Sequence, residues 1–144
     1  MYKRILVPTD GSEITRKAID TAIALARQLD AQLFAVAVKE PFPYSAISEV
    51  QPIAPQEFYE AQERVASDRV TAIVEAARAQ NVACTGYTVE SLHPWEAIVD
   101  YAKSKSCDLV VMASHGRRGV AALLLGSETQ RVLLHSPIPV LVVK

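Results

Sequence analysis

An α/β fold built on a mainly parallel sheet is what the sequence predicts, and three observations lead there. Five short β-branched runs alternate with longer segments of helical period. Most of those runs are continuously apolar rather than alternating, as suits strands covered on both faces. The 144 residues, 50% of them hydrophobic, amount to one domain against a typical ~150, and can bury a core without disulfides or metal.

The elements follow in order. Ile5-Leu6-Val7 is the first strand. Ser12 can cap a helix whose apolar face is Ile14, Ala18, Ala22, Ile23, Ala26 and Leu29, recurring every three or four residues. Residues 33–38 make the second strand. A second helix starts near Pro55 and turns Phe58, Ala61, Val65, Ile73 and Ala77 inward. The third strand, 82–89, is weaker and alternating. Pro94, favoured in a first turn, opens a helix that buries Ala97, Ile98, Tyr101 and Ala102. Leu109-Val110-Val111-Met112 is the fourth strand. Ser127-x-x-Gln130 reads as a capping box for a fourth helix, which Pro137 ends before the last strand, 140–143. No internal repeat or second domain is visible. Residues 39–54 form a long connection holding Pro41, Pro43 and Pro52 with Phe42, Tyr44 and Ile47 between. It is either a lid or partner surface, or a tolerated insertion laid on the nearest helix.

Fifteen basic and sixteen acidic residues leave a net charge of −1, without the basic excess of a general nucleic-acid binder. Cys84 and Cys107 lack CxxC spacing and histidine neighbours, and read as small core residues of a reduced, cytoplasmic protein. Pro8 and Asp10 break the first apolar run too early for a signal-peptide core, and no stretch approaches the ~18 apolar residues of a membrane span. The expectation is a soluble cytoplasmic protein without membrane insertion.

Ligands of open parallel sheets sit beyond the carboxyl ends of strands, where strand order reverses. After the first strand comes Val7-Pro8-Thr9-Asp10-Gly11-Ser12. Asp10 there either accepts from ribose hydroxyls or a hydrated cation, or simply caps the first helix with Ser12. After the fourth strand, three of the five glycines fall in 112–127, where Gly116 and Gly126 bracket nine residues and Gly126-Ser127 leads into a helix. Glycine amides, a helix N-terminus and the charges of Arg117 and Arg118 make this a phosphate cradle; its plain alternative is an ordinary glycine-containing loop. There is no GxxxxGK[ST] and no GxGxxG, so neither a P-loop nor a dinucleotide fold is supported. His93, His115 and His135 lie in separate segments without metal-ligand spacing.

Pro8-Thr9-Asp10-Gly11-Ser12, the Ser136-Pro137-Ile138-Pro139-Val140 entry to the last strand, and Ala113-x2-Gly116-x9-Gly126-Ser127 together resemble the universal stress protein (UspA-like) family, over essentially all 144 residues. The last pattern corresponds to the G-x2-G-x9-G-[ST] of its nucleotide-binding branch. The resemblance implies one domain, 1–144, with a doubly wound five-stranded parallel sheet in the order 3-2-1-4-5 and helices on both faces. It implies ATP or AMP between the ends of strands one and four, with Mg²⁺ at most accompanying the phosphates. Asp10 would bind ribose, the backbone of Val36, Ala37 and Val38 would read the adenine edge, and Pro8 and Met112 would lie against the ring. Gly116, Gly126 and Ser127 would bind phosphates, with Thr9, Ala113, His115, Arg117 and Glu128 completing the set. Three departures stand out: Ala113 replaces the motif's first glycine, Leu92 stands where the family often has glycine, and Glu128 puts a carboxylate beside Ser127. The resemblance further implies a homodimer through the C-terminal strand, 138–143, an apolar edge whose unpaired N–H and C=O groups its own copy can close.

The expected function is an adenine-nucleotide-binding regulatory module of the stress response. The alternatives are a nucleotide-free interaction dimer and a slow ATPase. No catalytic residue is assigned: Asp10, His115, Ser127 and Glu128 are candidates for weak hydrolysis only.

Overall fold

The five apolar runs become five parallel strands, and each connection between them that is described carries a helix. The computed structural model of the chain describes residues 1–39, 41, 55–116 and 125–144. In chain order the elements are β1 (Arg4–Thr9), α1 (Glu13–Leu29), β2 (Gln32–Lys39), α2 (Pro55–Ala79), β3 (Cys84–Glu90), α3 (Pro94–Ser104), β4 (Leu109–Ala113), α4 (Ser127–His135) and β5 (Val140–Val143). The sheet order is β3-β2-β1-β4-β5, as the resemblance implied. The connection at 39–54, including Pro43, Pro52, Phe42, Tyr44 and Ile47, lies outside the described residues but for its first residue, Lys39, and Pro41.

Alternation of side chains across the sheet separates two cores. Ile5, Val7, Leu33, Ala35, Leu109 and Val111 face α1 and α2; Leu6, Phe34, Val36, Val110 and Met112 face α3 and α4. The central residues of β1, β2 and β4 are therefore apolar on both faces, and the sheet is wound on both sides. Three helices leave for their strands by the same device. Asp30, Asn81 and Ser106 adopt left-handed φ of 53°, 61° and 54°, and the next amide reaches back five residues, Ala31 to Ala26, Val82 to Ala77 and Cys107 to Ala102. Among the described residues no helix is long and apolar enough to cross a membrane.

Two local expectations are corrected. α2 buries Ala66, Val70, Ile73 and Ala77, a stripe of uninterrupted four- and three-residue steps, while Ala61 and Val65 face solvent. Eight residues separate Val65 from Ile73, which rotates one roughly 80° from the other and off a common stripe. The capping box does not form either. Gly126 is the N-cap of α4, Ser127 is already helical, and the Gln130 side chain donates to Leu125 O (2.7 Å) instead of reaching back to the cap amide. Ser12 does cap α1, its hydroxyl accepting from Thr15 N at 3.4 Å.

Tyr101 is buried in the α3 core, and its hydroxyl has no hydrogen-bond partner among the described residues. Burial, with smaller contributions from the nearby Cys107, Tyr87 and Cys84, pushes its phenol up to about 12. A buried donor left unmade costs about 1–3 kcal/mol. Tyr101→Phe is therefore expected to match or exceed the parent's stability by up to about 1 kcal/mol in urea denaturation. Because the unfolded phenol ionises first, the parent should lose stability as pH rises from the ordinary value of 10 towards 12, a loss that Tyr101→Phe diminishes.

Candidate functional site

At the centre of the sheet, a missing donor ends a ladder. Gln32 N donates to Lys3 O (2.9 Å), so odd residues of β1 face β2 and even residues face β4. The rungs between β1 and β4 are Ile5↔Leu109 and Leu6↔Val110. The next donor on that side falls at Pro8, which has no N–H, and the pairing goes no further. β1 has β2 on one side and β4 on the other, so strand order reverses at this gap. It is the position where open α/β sheets accept ligands.

Past Pro8 the chain turns through Gly11, whose φ of +81° is left-handed. Asp10 Oδ1 accepts from Ser12 N (2.9 Å) and from the Thr15 hydroxyl (3.3 Å). Gly11 N donates to Thr9 Oγ1 (3.1 Å). One carboxylate oxygen thus organises the start of α1, while Oδ2 lies against Gly116, where any Cβ would collide with it. The two readings of Asp10 are compatible, one for each oxygen. Arg69 of α2 lies across the same turn, its guanidinium filling the space a side chain on Gly11 would need. Nothing in the local pattern of a polar helical segment marks residue 69 as reaching the end of β1.

On the β2 side, Pro8 pairs with Val36 and Thr9 with Ala37. Val36 and Ala37 are buried, one in each core. Val38 shares the parity of Gln32, so its main-chain groups face β1, one residue beyond the last rung.

The β4 side closes on itself. Ser114 N donates to Val143 O (2.8 Å), and Gly126 N returns to Ser114 O (2.7 Å). A Cβ on Gly126 would stand 3.0 Å from His115 Cα, so the side-chain-free residue is what permits the approach. The buried Thr129 hydroxyl donates to Ala113 O (2.9 Å), a second tie that the sequence reading did not single out. Gly116 and Gly126 therefore converge at one spot; Arg117 and Arg118, between them, lie outside the described residues. Gly126's amide is committed to Ser114, which leaves the first-turn amides of Ser127, Glu128 and Thr129 as the helix-terminal donors for an anion. His115 Nδ1 is 3.2 Å from Ser114 Oγ. Met112 is buried on the α3–α4 side, and the methyl of Ala113 on the α1 side.

The remaining two departures sit elsewhere. Leu92 is 76% exposed and borders a groove beside β3, not the gap between β1 and β4. Glu128 Oε2 accepts from Trp95 N (2.8 Å), and its other oxygen is 3.7 Å from Arg131. The N-cap of α3, His93, makes no capping bond of its own, so α4 supplies the cap from across the interface. The contact is reinforced by Trp95 stacking on His135 at 4.4 Å. Among the described residues, no three His, Cys, Asp or Glu side chains gather to hold a metal.

Comparison with known proteins agrees with this fold. The family model described as the Universal stress protein family matches residues 1–144. A universal stress protein of Thermus aquaticus is 33% identical over 149 residues, covering 100% of both chains. MJ0531 of Methanocaldococcus jannaschii is 31% identical over 150 residues, all of this chain and 83% of that one. Among solved structures, MJ0577 superposes with a TM-score of 0.85 at 28% identity, covering 100% of this chain and 96% of that one. A universal stress protein in complex with cAMP gives a TM-score of 0.65 at 28% identity, covering 99% and 96%.

The borrowed cap yields a measurable expectation. Glu128→Ala should cost about 1 kcal/mol in urea denaturation, Glu128→Gln less, and His93→Asp added to Glu128→Ala should recover much of the loss by capping α3 locally.

Proposed function

Since the chain belongs to the universal stress protein family, we propose that it is a cytoplasmic regulatory module that binds an adenine nucleotide, AMP or ATP, and acts as a homodimer. One observation carries the ligand reading: where Pro8 stops the β1–β4 ladder, the Asp10 carboxylate and the side-chain-free Gly116 meet beside the N-terminus of α4. That gap offers a carboxylate for ribose hydroxyls, main-chain groups near Val38 for a base edge, and helix amides for phosphate. The relative solved with cAMP supports an adenine nucleotide as the ligand class. Any Mg²⁺ enters with the phosphates. All 144 residues act as one universal stress protein domain in this reading.

The dimer reading rests on β5. Pro139 O accepts from Val110 N and Val143 O from Ser114 N, so odd residues face β4 and the N–H and C=O groups of Val140 and Val142 face outward. Leu141 (40% exposed) on this strand and Leu134 (78%) on α4 add apolar surface. A second copy paired along this edge removes both from water.

Protein purified without added ligand and then denatured should release adenine nucleotide on ion-exchange chromatography. Gly116→Asp should weaken ATP affinity in calorimetry by at least about tenfold, ~1.4 kcal/mol, with the fold retained by circular dichroism. An empty protein without affinity for added ATP would transfer weight to the nucleotide-free interaction dimer. Separately, Val142→Pro removes an outward N–H and no internal one, so it should convert a dimer to monomer in sedimentation velocity at micromolar concentration. A parent that already sediments as a monomer ends the dimer reading.

A further inference from the structure

The sheet has a second edge, and nothing described so far occupies it. Ala83 O accepts from Leu33 N (2.9 Å) and Ser91 N donates to Lys39 O (3.0 Å), so odd residues of this strand face β2. The N–H and C=O groups of Cys84, Gly86, Thr88 and Glu90 therefore point away from the sheet. Thr85, Gly86 and Tyr87 are exposed in the middle of the strand. On the α3 side, a groove of about 540 Å³ runs along this edge. Its floor carries Tyr87, 45% exposed, stacked face to face on Tyr101 at 4.6 Å with 2° between the planes. Glu90, Glu96 and Asp100 line it with His93, and among the described residues no lysine or arginine does, in a chain whose net charge is only −1. Leu92, 76% exposed, stands at the rim. Lys105 lies 5.9 Å from the Tyr101 ring but outside the lining, and Glu63, on the opposite side of β3, is paired with Lys39.

From these features we propose that β3 is a docking edge for an extended basic segment of a partner protein. The segment adds as a strand through the outward groups of Gly86, Thr88 and Glu90, and sets alternate lysine or arginine side chains over Tyr87 among the three carboxylates. The components are complementary in kind. An unpaired edge supplies main-chain hydrogen bonds without sequence preference. The tyrosine face and the carboxylates select a cation spaced two residues from the next, the period at which strand side chains return to one face. A flat apolar edge would instead invite any strand, and here the concentration of negative charge excludes acidic ones. This site shares no residue with the β1–β4 gap, so its occupancy does not depend on the nucleotide reading.

The test uses fluorescein-labelled eight-residue peptides of alternating valine and lysine, read by fluorescence anisotropy against the full chain. The lysine peptide should bind, more weakly as salt rises, whereas a valine–glutamate peptide should not. Glu96→Lys combined with Asp100→Lys, two exposed positions on α3, should weaken binding at least tenfold. A backbone N-methylated lysine peptide should lose binding to a similar degree, because it cannot pair with the strand. Failure of the lysine peptide to bind, or binding indifferent to both the charge reversal and N-methylation, overturns the proposal. Equal binding of the N-methylated peptide also overturns it, since charge alone would then suffice. If the Val142→Pro protein still self-associates and Thr88→Pro abolishes that, the occupant is a second copy and the proposal fails.

Discussion

The chain that leaves β4 must come back to it, and the whole carboxyl face of the sheet depends on how tightly it does so. Gly126 N on Ser114 O and the Thr129 hydroxyl on Ala113 O pin the start of α4 to the last residue of β4 and the one that follows it. With that return made, Gly116 stands against Asp10, and the end of β1 faces the end of β4 across the gap that Pro8 opens. Loosening either tie would release the N-terminus of α4 from the end of β4. Small residues are required here by contact. A Cβ at 126 meets backbone, which no side-chain rotation relieves, and a Cβ at 116 meets the Asp10 carboxylate, which can turn aside only by disturbing its Oδ1 hydrogen bonds to Ser12 and Thr15.

Much of this was legible in the residues, for identifiable reasons. Continuous apolar runs mark β1, β2 and β4 because those strands are buried on both faces; β3 is weaker in sequence because its middle residues, Thr85, Gly86 and Tyr87, are exposed. The sheet order came from the family resemblance and agrees with the structure. Proline at position 8 and glycines at 116 and 126 could be read because each has one backbone or steric consequence. The register of α2 could not be read from periodicity alone. Its sequence offers two partly overlapping stripes, and only packing against the sheet chooses the one through Ala66 and Val70. The left-handed helix ends at Asp30, Asn81 and Ser106 carry no glycine to announce them. Arg69, Thr129 and the cap supplied by Glu128 are long-range matters: each acts on a residue of another element, and local pattern is silent about such meetings.

Glu128 shows how a departure from a family motif is accommodated. A carboxylate beside the first turn of α4 would oppose an incoming anion by direct repulsion if it faced the gap. Its hydrogen bond instead directs Oε2 to the N-terminus of α3, where negative charge is favoured. The same contact fixes the relative position of α3 and α4, so the rim of the gap and the wall of the β3 groove belong to one packed unit.

Within that unit lies Trp95, the chain's sole tryptophan, parallel within 25° to the imidazole of His135. Indole emission depends on what is packed against the ring, so the intrinsic fluorescence of this protein is an optical gauge of one seam. A change in it would signal that α3 and α4 have drawn apart, without any label being attached.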